Sequence, residues 1–283
     1  MPNVSPFAAN LAVVVLESLL YGLYVSLASC TLYVMMTRRR ERLNGTPRFY
    51  RSSLFSPVAL GALALFITVT THWLLTVARL FLAFHHWEDG PGPRLFYSDF
   101  SHITEVLKYG FCVGSLFIGD SLLIHRLWVV SGFRLRTIVF PIVTVTGLLP
   151  FGVGLTYQMS AYTSNDSMFQ ASYRLWTTGL CICCSCTAIY TTAFIWYKLW
   201  NLSRVLESFG SRGLSNIIRI FADSAALYAT FGIFHLVSYQ CSSNVQLIAL
   251  DCLPVILGIS NLLVQIRLHW DLAQKPESPT SLL

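Results

Sequence analysis

Seven long stretches of the chain are almost entirely apolar, and they restrict the fold more than any other feature of the sequence. Each is near or above the ~20 residues that an α-helix needs to cross ~30 Å of hydrocarbon. None alternates with a period of two, as membrane β-strands do. The sequence therefore predicts an all-α fold, with one seven-transmembrane helix bundle over residues 1–283. The predicted helices cover residues 9–35, 55–77, 106–130, 137–157, 176–196, 217–239 and 245–266, and a short cytosolic tail covers residues 269–283.

The composition supports a chain embedded in lipid and excludes an ordinary soluble domain. Hydrophobic residues make up 54% of the sequence and charged residues 11%, with a mean hydropathy of +0.60. A soluble domain carries about a quarter charged residues because its surface must be solvated. The predicted connections are too short for a separate soluble domain. The longest, from about Arg79 to Glu105, contains HHWEDGPGPR and is expected to be a polar loop with turns.

Lysine and arginine are distributed unevenly between the two sides of the predicted bundle. Most of the 19 fall after the first, third and fifth helices or near the C-terminus. Only Arg79, Arg94, Lys108 and Arg174 fall on the other side. Because short loops rich in these residues stay in the cytosol, we expect the N-terminus outside and the C-terminus inside. The net charge of +6 then forms a rim facing anionic lipid, so the bilayer and not nucleic acid is the expected partner.

The sequence contains no motif that indicates an enzyme or a cofactor site. HExxH, GxSxG and glycine-rich phosphate loops are absent from it, so we expect no catalytic residue and no cofactor. The run CICCSC suggests a metal site, but Cys181, Cys184 and Cys186 are expected to point in different directions on a helix. Small polarizable side chains at a helix contact are the preferred interpretation, and no metal is expected. The seventh predicted helix has no lysine, which excludes a retinal Schiff base of the opsin type.

Polar residues inside the predicted helices form an inner layer, consisting of Asp120, Arg126, Asp223 and Asn261. Each charge costs about 2.5–3.5 kcal/mol in hydrocarbon on insertion scales and is a functional hypothesis by default. Two interpretations are open: these residues hold helices together, or Arg126 bonds Asp223 as a switch between the third and sixth helices. Asp223 also lies i,i+4 from Arg219 and can pair locally. Asp120 is ~9 Å from Arg126 along the axis, so we expect it to face Asn261 instead.

A second, outer layer consists of Glu17, His72, Lys108, His235 and Asp251. Polar groups that converge at the mouth of a bundle favour a ligand pocket. Snorkelling of Lys108 and partial exposure of Asp251 are an alternative explanation. In either case we expect Glu17 and Asp120 to point into the bundle, because a carboxylate facing hydrocarbon is too costly.

Three short motifs carry a resemblance to a known family. The first helix contains LESLLYGLYVSL, with Glu17, Tyr21 and Gly22; GDSLLIHRLWVV ends the third, and LLVQIRL closes the seventh with an arginine. With these motifs the chain resembles the largely uncharacterised seven-helix integral membrane proteins that are numerous in mushroom-forming fungi. The resemblance implies a receptor-like topology in the plasma membrane or an endomembrane.

The layout also resembles that of G-protein-coupled receptors. In those proteins an acidic–Arg–aromatic triplet ends the third helix, and here the triplet is His125-Arg126-Leu127, so the correspondence at Arg126 is positional. The loop over residues 158–173 has no cysteine to pair with Cys112, and the last helix has SNLLVQIRL in place of NPxxY.

Three functional classes follow from the sequence. A ligand-sensing receptor would have an unknown ligand, a pocket at the outer end and a cytosolic signalling partner. A small-solute or proton-coupled transporter would have a polar path through both layers. A non-catalytic structural membrane protein would have a packed bundle without cavities.

Overall fold

The computed structural model describes residues 5–44, 57–85, 92–161, 171–207 and 213–274. These ranges contain helices and no β-strand, which confirms the all-α prediction. In chain order the helices are α1 (Pro6–Asn44), α2 (Pro57–His85), α3 (Gly92–Ser98), α4 (Ile103–Val130), α5 (Leu135–Ser160), α6 (Ala171–Glu207), α7 (Gly213–Gln240) and α8 (Val245–Gln274).

Several helices extend beyond the apolar runs that predicted them. The first was expected to end near residue 35, but α1 continues to Asn44. In the same way α6 continues to Glu207, and α8 reaches Gln274, inside the predicted tail over residues 269–283. An α-helix satisfies its own backbone hydrogen bonds in any solvent, so hydropathy marks the part in lipid and not the end of the helix.

The segment from Arg79 to Glu105, expected to be a polar loop, is largely helical in the part that the structure describes. Helix α2 continues to His85, and the short helix α3 occupies part of the remainder. Arg79 and Glu105 are each 2% exposed, although the sequence placed them at helix ends beside a polar loop. Their polarity predicts exposure to solvent, but inside the bundle the two side chains form an ion pair with each other.

The outer surface of the bundle is apolar, as expected for a multi-pass membrane protein. On α5, for example, Val139, Val143 and Val153 are more than half exposed. A water-soluble monomer rarely has so continuous an apolar surface. Six helices among the described residues are long and apolar enough to cross a membrane. Helix α7 is not one of them, and the side chains of residues 213–225 lie outside the described part of the chain, so the seven-span count and the orientation stay predictions.

Helix α8 occupies the centre of the bundle. It packs against α1, α2, α4 and α7, and residues 249–262 are all buried. Pro254 lies inside this helix and removes one backbone donor, which makes the middle of α8 a point where the helix bends readily. Beyond it, Gly258 allows α1 to approach closely: a Cβ at this position would lie 2.6 Å from Cε2 of the buried Tyr24 ring.

We expect Gly258→Ala to destabilise the protein, because the new methyl group would push the Tyr24 ring and separate α1 from α8. Overpacking of this kind costs about 1–3 kcal/mol. Thermal unfolding of the purified protein in detergent measures the effect. The control is Gly22→Ala on α1, where a Cβ meets nothing within 4 Å. Equal melting temperatures for the two variants would contradict this packing.

Candidate functional site

Six ionisable side chains from four helices form one continuous set of contacts inside the bundle. We call this set the buried ionic chain; it consists of Glu17, His72, Asp251, Lys108, Glu105 and Arg79. Every member is at most 2% exposed. The set lies toward the end of the bundle that holds α3, which we call the α3 end.

The first part of the buried ionic chain joins α1, α2 and α8 through His72. Its Nδ1 lies 2.8 Å from Oε1 of Glu17, and its Nε2 lies 3.6 Å from Oδ1 of Asp251. Glu17 and Asp251 each lie within a few turns of the start of their helices, whereas His72 lies well before the end of α2. Antiparallel helices therefore bring all three groups to a similar depth.

The second part continues from Asp251 into α4 and back to α2. Lys108 Nζ donates to Oδ2 of Asp251 at 3.0 Å and lies 3.4 Å from Oε2 of Glu105, one turn earlier on α4. Arg79 Nε lies 2.8 Å from the same Glu105 oxygen. Helix geometry explains the α4 pair, because residues at i and i+3 share one face.

Helix α3 covers the Arg79 end of the buried ionic chain. The guanidinium carbon lies 5.0 Å from the centre of the Phe96 ring and 5.9 Å from that of Tyr97. Its Nη1 also donates to the Thr104 hydroxyl at 2.9 Å. Burial raises the pKa of the Tyr97 phenol, and the positive charge of Arg79 opposes this shift. Since Phe7 of α1 also contacts the Tyr97 ring, α3 is attached to the bundle on two sides.

The charges of the buried ionic chain can balance completely. Glu17, Glu105 and Asp251 supply the carboxylates, and Arg79 and Lys108 supply the permanent cations. The set is neutral when His72 carries both ring protons. Buried ion pairs contribute little net stability relative to apolar residues, but loss of one partner leaves an uncompensated charge. The arrangement therefore specifies which helices meet and in which register.

A small cavity lies deeper in the bundle, between α4, α6, α7 and α8. Its lining includes Cys181, Cys184 and Ser185 of α6 and Tyr228 and His235 of α7. Cys181 Sγ lies 3.2 Å from His235 Nδ1. Of the three cysteines expected to point in different directions, Cys181 and Cys184 face the same cavity, because positions i and i+3 share one side of a helix, whereas Cys186 is not part of its lining. The interpretation of the CICCSC run as small residues at a helix contact agrees with this packing.

Asp120 has a partner other than the expected one. Its Oδ1 accepts a hydrogen bond from the Tyr228 hydroxyl at 3.1 Å, and its Oδ2 has no partner among the described residues. The expected neighbour, Asn261, uses its amide nitrogen to donate to the Leu257 carbonyl of its own helix. Tyrosine reads as part of an apolar run in the sequence, so the pattern does not reveal its hydroxyl as a donor.

Arg126 connects α4 to α8 near the opposite end of the bundle. Its Nη2 donates to the backbone carbonyl of Asn261 at 2.9 Å. The predicted contact with Asp223 lies outside the described side chains. Arg126 and Asn261 of the predicted inner layer are therefore in contact, though through the backbone and not through the Asn261 side chain.

Four of the five predicted outer residues, namely Glu17, His72, Lys108 and Asp251, meet in the buried ionic chain. The fifth, His235, lines the deeper cavity. Glu17 and Asp120 are both 0% exposed, which confirms that their side chains point inward. The prediction that the outer residues line a ligand pocket stays a prediction.

The fold and the buried charges define the class of protein: a helical, multi-pass membrane protein with an ionic network inside its bundle. No protein-family model, curated protein or solved structure matches the chain. Within the described residues, no group of three or more histidine, cysteine, aspartate or glutamate side chains is arranged to hold a metal ion.

Replacement of Lys108 by methionine tests the buried ionic chain. It leaves Asp251 and Glu105 with an excess of negative charge, so we expect a loss of about 3–5 kcal/mol of stability. The double variant Lys108→Met/Asp251→Asn should recover part of this loss, because it removes a charge of each sign. Thermal unfolding in detergent measures both. Lys198→Met, near the end of α6, is the matched control; an equal loss there would contradict the prediction.

We also expect Tyr228→Phe to destabilise the protein by about 1–3 kcal/mol, because Asp120 loses the hydrogen bond from the Tyr228 hydroxyl. In an Asp120→Leu background the same substitution should cost less, since no carboxylate then needs the donor. A double-mutant cycle from chemical or thermal unfolding gives the coupling. Tyr33→Phe, at a tyrosine that is 71% exposed on α1, is the control for loss of a phenol. Strict additivity would show that the Tyr228–Asp120 hydrogen bond contributes nothing.

Proposed function

We propose that the protein is a seven-span receptor-like membrane protein that senses a ligand at the α3 end and transmits the event along α8 to the opposite end. The main support for this proposal is that the central helix, α8, makes a polar contact near each end of the bundle. Asp251 of α8 binds Lys108 and His72, and the Asn261 carbonyl of α8 binds Arg126. Displacement of α8 at one contact is therefore transmitted to the other.

The distribution of basic residues supports the direction of this signal. Arginines cluster after the first and third predicted helices, on the side opposite to α3. By the positive-inside rule that side is cytosolic, so the α3 end and the N-terminus face outside. The contact between Arg126 and Asn261 then lies near the cytosol, where a signalling partner would detect a change.

The buried ionic chain is the part of the structure that can switch between two states, paired and released. Among the described residues its opposite charges are paired with one another. A charged ligand that competes for Lys108 or Asp251 would therefore release α8 from α2 and α4. A ligand shifts such an equilibrium only by its difference in affinity for the two states. Packed helices respond by discrete movements and not by continuous deformation. Pro254, between the two contacts of α8, is the position at which the helix can bend.

The family resemblance agrees with this proposal. Seven-helix membrane proteins of mushroom-forming fungi have a receptor-like topology, and residence in the plasma membrane or an endomembrane follows from it. The expected partners are the bilayer, a ligand of unidentified structure and a cytosolic signalling protein.

A proton-coupled transporter is the second candidate, and Asp120 is the observation that favours it. This carboxylate is fully buried and has one oxygen without a partner among the described residues. Its other oxygen accepts a hydrogen bond from Tyr228, which lines the small cavity. Intramembrane carboxylates of this kind serve as proton relays. Proteoliposomes containing a pH-sensitive dye would reveal proton flux; flux in the wild type that Asp120→Asn abolishes would replace the receptor proposal by this one.

Hydrogen exchange in nanodiscs tests transmission along α8. Asp251→Asn weakens the buried ionic chain without changing the size of the side chain. We expect faster amide exchange not only near residue 251 but also over residues 126–131, at the far end of α4, because the Arg126 contact loosens when α8 moves. Mass spectrometry of peptides from both regions provides the measurement.

The matched control is Asp99→Asn, which changes an exposed carboxylate at the α3 end that bonds only its neighbour Ser101 among the described residues. It should alter neither region of the bundle. If Asp251→Asn changes exchange only around the α3 end while the protein stays folded, α8 does not transmit the event. The reciprocal variant, Arg126→Gln, should loosen peptides around residue 251, since coupling between two sites is mutual.

A further inference from the structure

Three side chains near the end of α6 are stacked in a row on the outer surface of the protein. Trp196, Trp200 and Arg204 are spaced four residues apart, so they share one face of the helix. The two tryptophan rings have their centres 5.7 Å apart and are inclined by only 28°. The guanidinium carbon of Arg204 lies 5.5 Å from the centre of the Trp200 ring. We call these three residues the aromatic–arginine stack.

Much of the aromatic–arginine stack is left uncovered by the described part of the bundle. Trp196 and Trp200 are 42% and 44% exposed, and Arg204 is exposed as well. Large aromatic rings at the surface of a monomer are normally covered by a partner or by lipid. The stack is therefore a candidate binding surface, and its depth in the membrane indicates for what.

The aromatic–arginine stack lies across the boundary of the apolar span of α6. That span covers Tyr173–Lys198, so Trp196 is inside it and Trp200 is about 3 Å beyond it. The backbone of Arg204 is about 9 Å beyond the span, but its guanidinium lies over Trp200, one turn closer to the hydrocarbon. The headgroup layer on each side of a bilayer is about 5–8 Å thick. The positive charge of Arg204 is therefore at the depth of the lipid phosphates.

The charge of Arg204 has no anionic partner among the described residues, where every ion pair belongs to the buried ionic chain. A guanidinium matches a phosphate well, because its N–H groups can form two parallel hydrogen bonds to the phosphate oxygens. Contact with the face of Trp200 also restricts the long side chain, so less freedom is lost when an anion binds. Arg204 is thus oriented for a phosphate that the chain itself does not supply.

An apolar stripe continues from the aromatic–arginine stack along the same face of α6. Ile189 and Ile182 precede Trp196 by two and four helical turns, and each is 48% exposed. The distance from Trp196 to Ile182 is about 21 Å along the helix, which exceeds the ~15 Å of hydrocarbon in one leaflet. A lipid chain can therefore lie along this stripe. A water-soluble protein could reach Arg204 but not Ile189, so the surface favours a lipid over a protein partner.

We propose that the aromatic–arginine stack binds one anionic phospholipid, with its phosphate on Arg204 and an acyl chain along Trp196 and the apolar stripe. A zwitterionic lipid has its own cation beside the phosphate, which competes with the guanidinium, whereas an anionic headgroup has none. By the positive-inside rule this end of α6 faces the cytosol, where anionic lipids are enriched. Binding itself depends neither on that orientation nor on whether the protein is a receptor or a transporter.

Native mass spectrometry of the detergent-purified protein counts bound lipids and tests this proposal. With equal amounts of phosphatidylglycerol and phosphatidylcholine of the same chain length, we expect one phosphatidylglycerol to be retained in preference. Arg204→Gln should weaken its binding roughly 5-fold, which corresponds to about 1 kcal/mol for one basic residue near anionic lipid. Trp200→Leu keeps the charge but removes the ring beneath it, so it should also weaken binding, and Trp200→Phe should preserve part of it.

Arg134→Gln is the matched control for the loss of a positive charge. Arg134 is exposed just before α5, and no aromatic ring contacts its guanidinium among the described residues. It lies at a similar depth to Trp200, because Ile138 of α5 and Ile195 of α6 share one buried cluster. We expect this variant to retain most of the preference for phosphatidylglycerol.

Two results would overturn the proposal. Equal binding of the two lipids to the unmodified protein would mean that the stack is an ordinary interfacial aromatic surface or faces a protein. Equal losses for Arg134→Gln and Arg204→Gln would mean that only the overall charge of this end attracts anionic lipid. All the substituted residues are exposed, so the melting temperatures in lipid-free detergent should stay close to that of the unmodified protein.

Discussion

A charge in the middle of a helix bundle is stable only where an opposite charge or a strong donor meets it, and this constraint organises the structure. The surrounding hydrocarbon contains no polar partner, so Glu17, His72 and Asp251 are stable there only because they contact one another. Apolar side chains could pack in several registers at similar energy, because lipid tails and leucine are nearly equivalent surroundings. The buried ionic chain removes that freedom. It fixes α1, α2, α4 and α8 at one depth, and the packing of α3 over Arg79 follows from it.

The central position of α8 follows from the same constraint. Asp251 contacts His72 of α2 and Lys108 of α4, which requires α8 to lie between these helices. Close contact at Gly258 brings α1 against the other side of α8. Residues 249–262 are consequently buried all round. A helix in this position cannot move without changing contacts to several neighbours. Conformational change in such a bundle is therefore expected to be a joint movement of helices and not a local adjustment.

The sequence predicts the helices better than the partners of individual residues. Apolar runs locate the part of each helix that lies in lipid, and the cost of buried charge correctly places Glu17 and Asp120 inside the bundle. Burial of Arg79 and Glu105 has no such signal, because a charged residue next to turn-forming sequence suggests solvent. The role of Tyr228 as the donor to Asp120 has none either, since tyrosine contributes to an apolar run while carrying a polar group. Cys181 and His235 lie too far apart in sequence for spacing to reveal their contact.

The sequence by itself determined that this chain is helical and apolar on its outer surface, because length, hydropathy and periodicity are local properties of each segment. It also determined that several charges lie within the apolar segments. Only the tertiary structure decided which charges meet, because helices far apart in sequence pack by shape and small residues set how closely they approach. The pairing of Lys108 with Asp251, the central place of α8 and its close approach to α1 at Gly258 all depend on such contacts. None of them leaves a signal in the spacing of residues along one helix.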